Sequence, residues 1–247
     1  MTQFLHKHWR RLKRSLSRRF REALLPRGYR RLGTRYGGWW VDSTRLGNAP
    51  LLIDCGLGED ISFPLAFLQT FGGKVIGVEP NPRSLKYCRE RIRGDMRVIP
   101  KAFWSEPGKK LEFFLPRAQQ DLPKGADGVS GSLDGSHEYA GGSRLEVETT
   151  SLAEILQQCA RAQCDVLKMD IEGAEYDVLD SLCNSGDIRK AAQVLIEFHH
   201  KVTRHTPEDT RRAVEQLRRS GFQLVHTEDR NYIFRRQELD RQEPVAA

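Results

Sequence analysis

Leu51-Leu-Ile-Asp-Cys-Gly-Leu-Gly58 is the part of the 247-residue sequence that restricts the class of fold most strongly. Its first half is aliphatic and predicts a short buried strand, after which Gly56 and Gly58 predict a tight turn. An apolar stretch with a helical pattern follows, and Val75-Ile-Gly-Val-Glu79 predicts a second strand. Strands and helices that alternate at this spacing predict a doubly wound, parallel α/β sheet.

The same alternation continues through the rest of the chain. Asn81-Pro82 predicts a helix start, because asparagine caps a first turn and proline is tolerated within it. Further strands are predicted at Met96–Trp104, Asp165–Asp170, Gln193–Phe198, Phe222–Thr227 and Tyr232–Arg235. The last two predict an antiparallel hairpin that closes a domain spanning residues 32–236, followed by a polar tail over residues 237–247. Ligands of such a sheet bind beyond the carboxyl ends of its strands.

Residues 105–150 interrupt this rhythm. Leu111–Leu115 and Leu145–Thr149 predict two strands that flank a stretch rich in glycine, serine and aspartate at 117–143. A loop of that length in a compact domain is usually either a functional lid or disordered, and we expect a lid over the active site. His137 and Tyr139 lie in this loop and are candidates for contact with a substrate.

The positive charge of the chain is concentrated at its N-terminus. Residues 1–31 carry eleven Lys and Arg against one Glu, a net charge of +10, whereas the whole chain carries +7. The remainder is therefore mildly acidic, which argues against a catalytic domain built to bind nucleic acid. Apolar residues recur in the basic segment at spacings of three and four, which predicts an amphipathic helix ended by Pro26 and Gly28. Such a helix suits an anionic membrane surface, a protein partner or the surface of its own domain.

Two further features of the sequence concern location. No apolar run approaches the roughly 20 residues needed to span a bilayer, and no secretory signal is recognisable. The five cysteines form no Cys-x-x-Cys pair, which is typical of reduced thiols in the cytosol. We therefore expect a cytoplasmic protein, with a peripheral position at a membrane as the alternative.

The turn after the first strand indicates a nucleoside cofactor. Glycines at 56 and 58 let the backbone approach a ligand, and Glu79 ends the next strand, where an acid accepts both hydroxyls of a ribose. The dinucleotide fingerprint requires a third glycine, but Ile61 stands there, preceded by Glu59 and Asp60. Two acids repel a pyrophosphate and suit a cofactor with a sulfonium cation and an amino group. This favours S-adenosylmethionine over NAD.

One stretch also resembles a known family. Lys168-Met-Asp-Ile-Glu-Gly-Ala-Glu-Tyr-Asp-Val-Leu179 resembles the signature of the FkbM-type methyltransferases. Gly58–Phe63, Val78–Pro82, Lys101-Ala102 and Glu197–His199 fall in the order that this family shows. The resemblance implies a Rossmann-like, seven-stranded methyltransferase sheet with helices on both faces, and O-methylation of a sugar or another hydroxylated small molecule.

The candidate cofactor site and the candidate catalytic site follow from these patterns. The cofactor site comprises Asp54, Gly56, Gly58, Asp60, Glu79 and Ala102, the last placed by the resemblance alone. Asp170 ends the fourth strand, Glu172 follows it, and His199 ends the fifth. An alcohol must be aligned and must lose its proton, so we assign Asp170 and Glu172 to the acceptor and His199 to base catalysis. Glu175 and Asp177 are also explained by helix capping and the helix dipole.

Alternatives remain at two levels. Asp170, Glu197 and His199 could together hold Mg²⁺, although we favour a site without metal. The whole protein could instead be a non-catalytic scaffold that retains the methyltransferase fold. It could also methylate nucleic acid with residues 1–31 as a phosphate-binding arm, but the sequence lacks an Asn-Pro-Pro-Tyr-like base-flipping motif.

Overall fold

The computed structural model describes residues 25–122, 128 and 130–237. In chain order, its strands are β1 (Tyr29–Leu32), β2 (Trp39–Asp42), β3 (Leu51–Cys55), β4 (Lys74–Val78), β5 (Met96–Ile99), β6 (Ala102–Phe103), β7 (Lys110–Pro116), β8 (Ala140–Thr150), β9 (Cys164–Met169), β10 (Ala191–Glu197), β11 (Phe222–Glu228) and β12 (Asn231–Arg236). The α-helices are α1 (Ser62–Phe71), α2 (Pro82–Arg91), α3 (Leu152–Gln158), α4 (Glu175–Ser185) and α5 (Pro207–Arg219). Short 3-10 turns lie at Ser43–Arg45, Gln119–Asp121 and Asp187–Lys190.

The main sheet has seven strands in the order β11-β12-β10-β9-β3-β4-β5. Its five strands β5, β4, β3, β9 and β10 run parallel to one another, and β12 runs antiparallel to both β10 and β11. The expected seven-stranded sheet with a C-terminal antiparallel hairpin is confirmed. The chain proceeds from β3 outward to β5 and then returns to β9 on the other side of β3. The strand order therefore reverses between β3 and β9, which is where sheets of this type bind ligands.

Helices cover both faces of the sheet, as expected. Leu51 and Ile53 of β3 pack in one core with residues of α3, α4 and α5. Leu52 and Val166 belong to a second core on the opposite face, together with residues of α1 and β2. Successive residues of a strand point to opposite faces, so a strand that is covered on both sides is aliphatic throughout.

The helix starts predicted from the sequence are also present. The Asn81 side chain accepts the N–H of Arg83 at 3.0 Å, with Pro82 in the first turn. Ser151 caps α3, and Thr206 forms a reciprocal capping box with Asp209 at the start of α5.

The structure refines two boundaries drawn from the sequence. Residues 29–31, which we had assigned to the basic N-terminal segment, belong to β1 and pair with β2. The predicted amphipathic helix otherwise lies at residues 1–24, outside the described residues, as does the tail from residue 238. The strand predicted at Met96–Trp104 is divided at Pro100, which has no N–H to donate, into the edge strand β5 of the main sheet and β6, which pairs with β8.

The insertion between β6 and α3 forms a second, three-stranded sheet in the order β6-β8-β7. Beyond β7, the chain folds back and Ser132 bridges Phe114. The Ser132 hydroxyl then donates to the Glu172 carbonyl oxygen at 2.6 Å. The described part of the predicted lid thus lies directly against the candidate catalytic residues.

Among the helices in the described ranges, none is long and apolar enough to cross a membrane.

Candidate active site

A cavity of about 540 Å³ lies at the carboxyl ends of the parallel strands, where the strand order reverses. Two groups of polar residues line it. The turn after β3 and Glu79 form one wall, and Asp170 and Glu172 form another. The sheet therefore brings together both predicted halves of the site, one for the cofactor and one for the acceptor.

Glu79 connects the glycine turn to the end of β4. One carboxylate oxygen, Oε2, accepts the N–H groups of Leu57 and Gly58 at 3.1 and 2.9 Å. The other, Oε1, accepts the N–H of Asn81 at 2.8 Å. Burial raises the pKa of Glu79, and these N–H donors partly offset that rise. The residue predicted to hold a ribose therefore also holds the turn in place.

Gly56 has a packing role that the sequence did not predict. Its φ is +81°, and a Cβ at this position would lie 1.7 Å from the carbonyl oxygen of Asp170. The glycine is thus required because the turn after β3 packs directly on the end of β9, and not only because a ligand approaches. Gly58 also has a positive φ, and both glycines line the cavity.

Asp54 is not among the residues that line the cavity. It is 1% exposed and pairs in register with Lys168, whose Nζ lies 3.0 Å from its Oδ1. Asp54 and Lys168 face the same side of the sheet, because they are paired residues of neighbouring strands. Asp54 thus contacts Lys168, which does line the cavity, and its direct contact with the cofactor stays a prediction.

Lys168 is a site residue to which the sequence analysis assigned no function. Its ammonium donates to the Gly56 carbonyl oxygen at 2.6 Å and lies 3.6 Å from Asp170 Oδ2. Burial by itself lowers the pKa of Lys168, but Asp54 and Asp170 outweigh burial and raise it. The lysine stays charged and joins the two strand ends. The sequence did indicate such a role, because a lysine inside an otherwise aliphatic strand must find a buried partner.

Asp60 lines the cavity but uses its carboxylate to hold a loop. Its Oδ1 accepts the N–H of Ser62 at 2.9 Å, and its Oδ2 accepts the Thr34 hydroxyl at 2.5 Å and the N–H of Gly37 at 3.2 Å. Partial burial opposes ionisation, but the Ser62 and Thr34 donors lower the pKa of Asp60. The loop between β1 and β2, which the sequence analysis overlooked, thereby forms part of the wall together with Trp39.

Ala102 is buried and lines the cavity at the start of β6, next to Phe103. Ser84 also lines it, and its buried hydroxyl has no hydrogen-bond partner among the described residues. A nucleoside that contributes apolar rings and polar edges fits this wall, because it would cover the apolar surface and satisfy the hydroxyl.

The second wall contains a cluster of Asp170, Glu172 and His199, whose ligand atoms all lie within 4.8 Å of one another. His199 Nε2 lies 3.2 Å from Glu172 Oε2 and 3.6 Å from Asp170 Oδ1. The three residues assigned to catalysis from the sequence are therefore adjacent in space. Asp170 and Glu172 face the cavity, whereas His199 lies behind them and is 1% exposed.

Glu175 fixes the orientation of the His199 ring. It is fully buried, and its Oε1 accepts the backbone N–H of His199 at 2.8 Å and contacts Nδ1 at 3.1 Å. Its other oxygen accepts the N–H of Gly173 at 2.7 Å. Helix capping alone, our alternative explanation for Glu175, does not describe these contacts. Because a carboxylate only accepts, Nδ1 of His199 carries a proton.

The surroundings of His199 oppose its expected role as a general base. Burial lowers the pKa of His199, but Glu172 and Glu175 outweigh burial and raise it well above its usual value. A ring that retains its proton near neutral pH does not accept another from an alcohol. Base catalysis by His199 alone therefore has no electrostatic support.

The contacts of Glu197 do not favour its predicted role as a metal ligand. Its Oε1 lies 3.7 Å from His199 Nε2, but it also pairs with Arg230 from the turn between β11 and β12. Burial and then Asp170 raise the pKa of Glu197. In the cluster, Glu172 takes the position that we had assigned to Glu197.

His137 supports Glu172 from the insertion. The ring accepts the N–H groups of Tyr139 and Ala140 on Nδ1 at 3.2 and 3.3 Å, so its proton is assigned to Nε2. Nε2 then donates to Glu172 Oε2 at 2.9 Å. His137 is 1% exposed, which corrects the expectation that it contacts the acceptor.

The seven-stranded sheet with its C-terminal antiparallel hairpin is the fold expected of the S-adenosylmethionine-dependent methyltransferases. Residues 54–224 match the sequence profile of the methyltransferase FkbM domain. Since this match covers more than half of the chain, the protein belongs to the FkbM methyltransferase family. None of the curated proteins compared with the chain matches it significantly.

Several solved structures share features of the chain trace. The METTL16 MTase domain is 11% identical with a TM-score of 0.42, over 75% of this chain and 58% of the other. The fibrillarin/Nop5p complex is 10% identical with a TM-score of 0.41, over 78% and 74%. Precorrin-6y C5,15-methyltransferase from Geobacter metallireducens is 13% identical with a TM-score of 0.38, over 77% and 80%. The chain thus spans little more than half of the METTL16 chain.

Proposed function

We propose that this protein transfers a methyl group from S-adenosylmethionine to a hydroxyl group of a sugar or another small molecule. The observation that carries the proposal is that Glu79 and the pair Asp170 and Glu172 border the same cavity. One wall suits a nucleoside, and the other presents carboxylates to a hydroxylated acceptor.

The chain's own residues fit the cofactor. Glu79 already accepts three backbone N–H groups, and a carboxylate offers about four acceptor positions, so it can still bind a ribose hydroxyl. Ala102 and Phe103 would pack against the base, and Ser84 would bind one of its polar atoms. Bound S-adenosylmethionine supplies an electrophilic methyl group, which leaves positioning and proton removal to the protein.

The acceptor wall supports a neutral, hydroxylated substrate. Carboxylates of Asp170 and Glu172 accept hydrogen bonds from hydroxyl groups and orient them. An acidic wall repels the phosphates of a nucleic acid, which disfavours the nucleic-acid alternative. Asp170 and Glu172 are both partly exposed, with 27% and 22% of their side chains accessible, and Asp170 is the group to which an acceptor hydroxyl would donate.

Calorimetric titration with S-adenosylhomocysteine tests the cofactor half. We expect micromolar binding by the full chain and a loss of about 10- to 100-fold in Glu79→Gln, the scale of hydrogen bonds to a charged group. Glu112→Gln, an exposed acid on β7, is the matched control and should bind as the wild type does. Thermal unfolding of each variant separates lost binding from lost folding, because Glu79 also holds the turn.

Two results would overturn the proposal. Failure of the folded wild type to bind S-adenosylhomocysteine would favour a non-catalytic scaffold. Methylation of RNA, with no methylation of sugars or other polyols, would favour the nucleic-acid alternative. Transfer of labelled methyl groups to a panel of hydroxylated small molecules is the positive outcome.

The partner of the basic N-terminal segment is a separate proposal. Residues 1–31 carry a net charge of +10, which favours an anionic membrane surface or an acidic protein partner for a cytoplasmic protein. Co-sedimentation of the full chain with phosphatidylserine vesicles, compared with a chain starting at residue 25, distinguishes the two. Equal sedimentation of both chains would exclude the membrane.

A further inference from the structure

We propose that Asp170, Glu172 and His199 bind one divalent cation, Mg²⁺ or Mn²⁺, at the acceptor end of the cavity. The use of such an ion to hold the acceptor rests on the proposed O-methylation, whereas binding of the ion does not. The ligand set differs from the one expected from the sequence, because Glu172 replaces Glu197.

The position of the His199 ring is the first observation. Its Nδ1 is held by Glu175 at 3.1 Å, and the ring is aimed with Nε2 into the cluster. Carboxylate oxygens of Glu172 and Asp170 lie 3.2 and 3.6 Å from Nε2, and both residues border the cavity. An imidazole nitrogen and two carboxylates that converge in this way form a donor set that a divalent cation can take in place of a proton on Nε2.

The spacing of the donor atoms is the second observation. Adjacent ligands of an octahedral Mg²⁺ at about 2.1 Å lie about 3.0 Å apart. The Nε2–Glu172 and Nε2–Asp170 distances are 3.2 and 3.6 Å. These two separations are within about 0.6 Å of the octahedral value, and all three ligand atoms lie within 4.8 Å of one another, so small side-chain shifts would bring them around one ion. Two carboxylates and one imidazole suit Mg²⁺ or Mn²⁺ better than zinc, which takes nitrogen and sulfur ligands more often.

The residues behind the cluster are the third observation. Ligating histidines usually donate their second N–H to a carboxylate, as His199 would to Glu175, and ligating carboxylates are themselves hydrogen-bonded. His137 donates to Glu172 at 2.9 Å. The insertion and the helix start at α4 thus hold two ligands in place. Asp170 and Glu172 border the cavity, which leaves coordination positions open on the side where an acceptor would bind.

The charge balance points the same way. Lys168 and Arg230 neutralise Asp54 and Glu197, their nearest carboxylates. Asp170, Glu172 and Glu175 surround His199, and of these Asp170 also lies 3.6 Å from Lys168 and Glu172 also contacts His137. The carboxylates Asp54, Asp170, Glu172, Glu175 and Glu197 therefore outnumber the two permanent cations beside them in the described part of the chain, Lys168 and Arg230. A divalent cation would reduce this excess of negative charge without displacing any residue.

The test uses the full chain, stripped with EDTA, and follows binding of Mn²⁺ by electron paramagnetic resonance. We expect one Mn²⁺ per chain, competition by Mg²⁺, and a higher midpoint of thermal unfolding when the ion is present. Glu172→Gln should weaken Mn²⁺ binding at least 10-fold, and Glu175→Gln should weaken it by about 10- to 100-fold through His199. Glu197→Gln is the control, because Glu197 lies 3.7 Å from Nε2 but pairs with Arg230 and is not a ligand in this proposal, and it should change affinity less than 3-fold.

Two outcomes would overturn the inference: no Mn²⁺ binding by the folded wild type at about 1 mM, or equal losses in Glu172→Gln and Glu197→Gln. Titration of the same samples with S-adenosylhomocysteine separates this inference from the proposed function. Cofactor binding without Mn²⁺ binding refutes only the ion site. Mn²⁺ binding without cofactor binding leaves the ion site in place and refutes the methyltransferase proposal.

Discussion

Replacement of Lys168 by methionine tests whether its ammonium joins the ends of β3 and β9. At 3.0 Å and an effective dielectric constant of about 20, its attraction to Asp54 is about 5.5 kcal/mol. The variant leaves the Asp54 carboxylate, 1% exposed, without a counter-ion. Loss of one partner of a buried pair typically costs about 3–5 kcal/mol. For a domain of this size, that lowers the unfolding midpoint by roughly 6–20 °C.

Urea unfolding of matched variants measures this cost. Lys74→Met removes a lysine from an exposed pair, in which Nζ lies 3.9 Å from Asp95, and should change stability by less than about 0.5 kcal/mol. The double variant Lys168→Met with Asp54→Asn removes both charges and should be more stable than Lys168→Met alone. A loss below about 1 kcal/mol in Lys168→Met would refute the reasoning.

The pH dependence of the Lys168→Met variant has a definite sign. Burial raises the pKa of Asp54, and Lys168 opposes that rise in the wild type. Without the lysine, the folded-state pKa rises further above the unfolded value of about 3.9. The folded state then binds more protons than the unfolded chain, so stability falls as pH rises through this window. The deficit should be larger at about pH 8 than at about pH 5, and the double variant should not show this trend.

Three further variants address separate features. Gly56→Ala should lower the free energy of unfolding by at least about 3 kcal/mol and abolish binding of S-adenosylhomocysteine, because the new Cβ would meet the Asp170 carbonyl oxygen. Near-normal stability in urea unfolding would contradict this. Thr206→Ala should lower the free energy of unfolding by about 1 kcal/mol, because it removes the capping box, and should leave cofactor binding measured by calorimetry unchanged. Weaker binding would count against the proposed location of the cofactor. Asp60→Ala should lower the free energy of unfolding by less than about 2 kcal/mol but make the loop around Thr34 more sensitive to limited proteolysis. Unchanged cleavage would show that the hydrogen bonds of Asp60 do not hold the loop.

The positions that were predictable from the sequence are those set by local order along the chain. Glu79, Asp170 and His199 each follow an aliphatic run, and parallel strands bring their carboxyl ends to one edge. Their convergence could therefore be expected without coordinates. Helix starts at Asn81 and Thr206 were equally local, because a cap satisfies N–H groups within its own first turn.

Contacts between distant segments could not be derived in this way. Asp54 faces Lys168 because β3 and β9 adopt one register, and a shift by one residue would turn either side chain to the other face. His137 comes from an insertion whose path the pattern of residues does not specify.

The sequence alone thus established a parallel α/β sheet, the edge at which a ligand binds, and three acids and a histidine at that edge. Packing in three dimensions assigned their roles: Glu79 holds the glycine turn, Glu175 orients His199, and Glu172 replaces Glu197 in the cluster. The physical reason is the separation along the chain over which each kind of interaction acts. Strand and helix formation depend on neighbours along the chain, whereas a buried charge takes its partner from whichever segment folds against it.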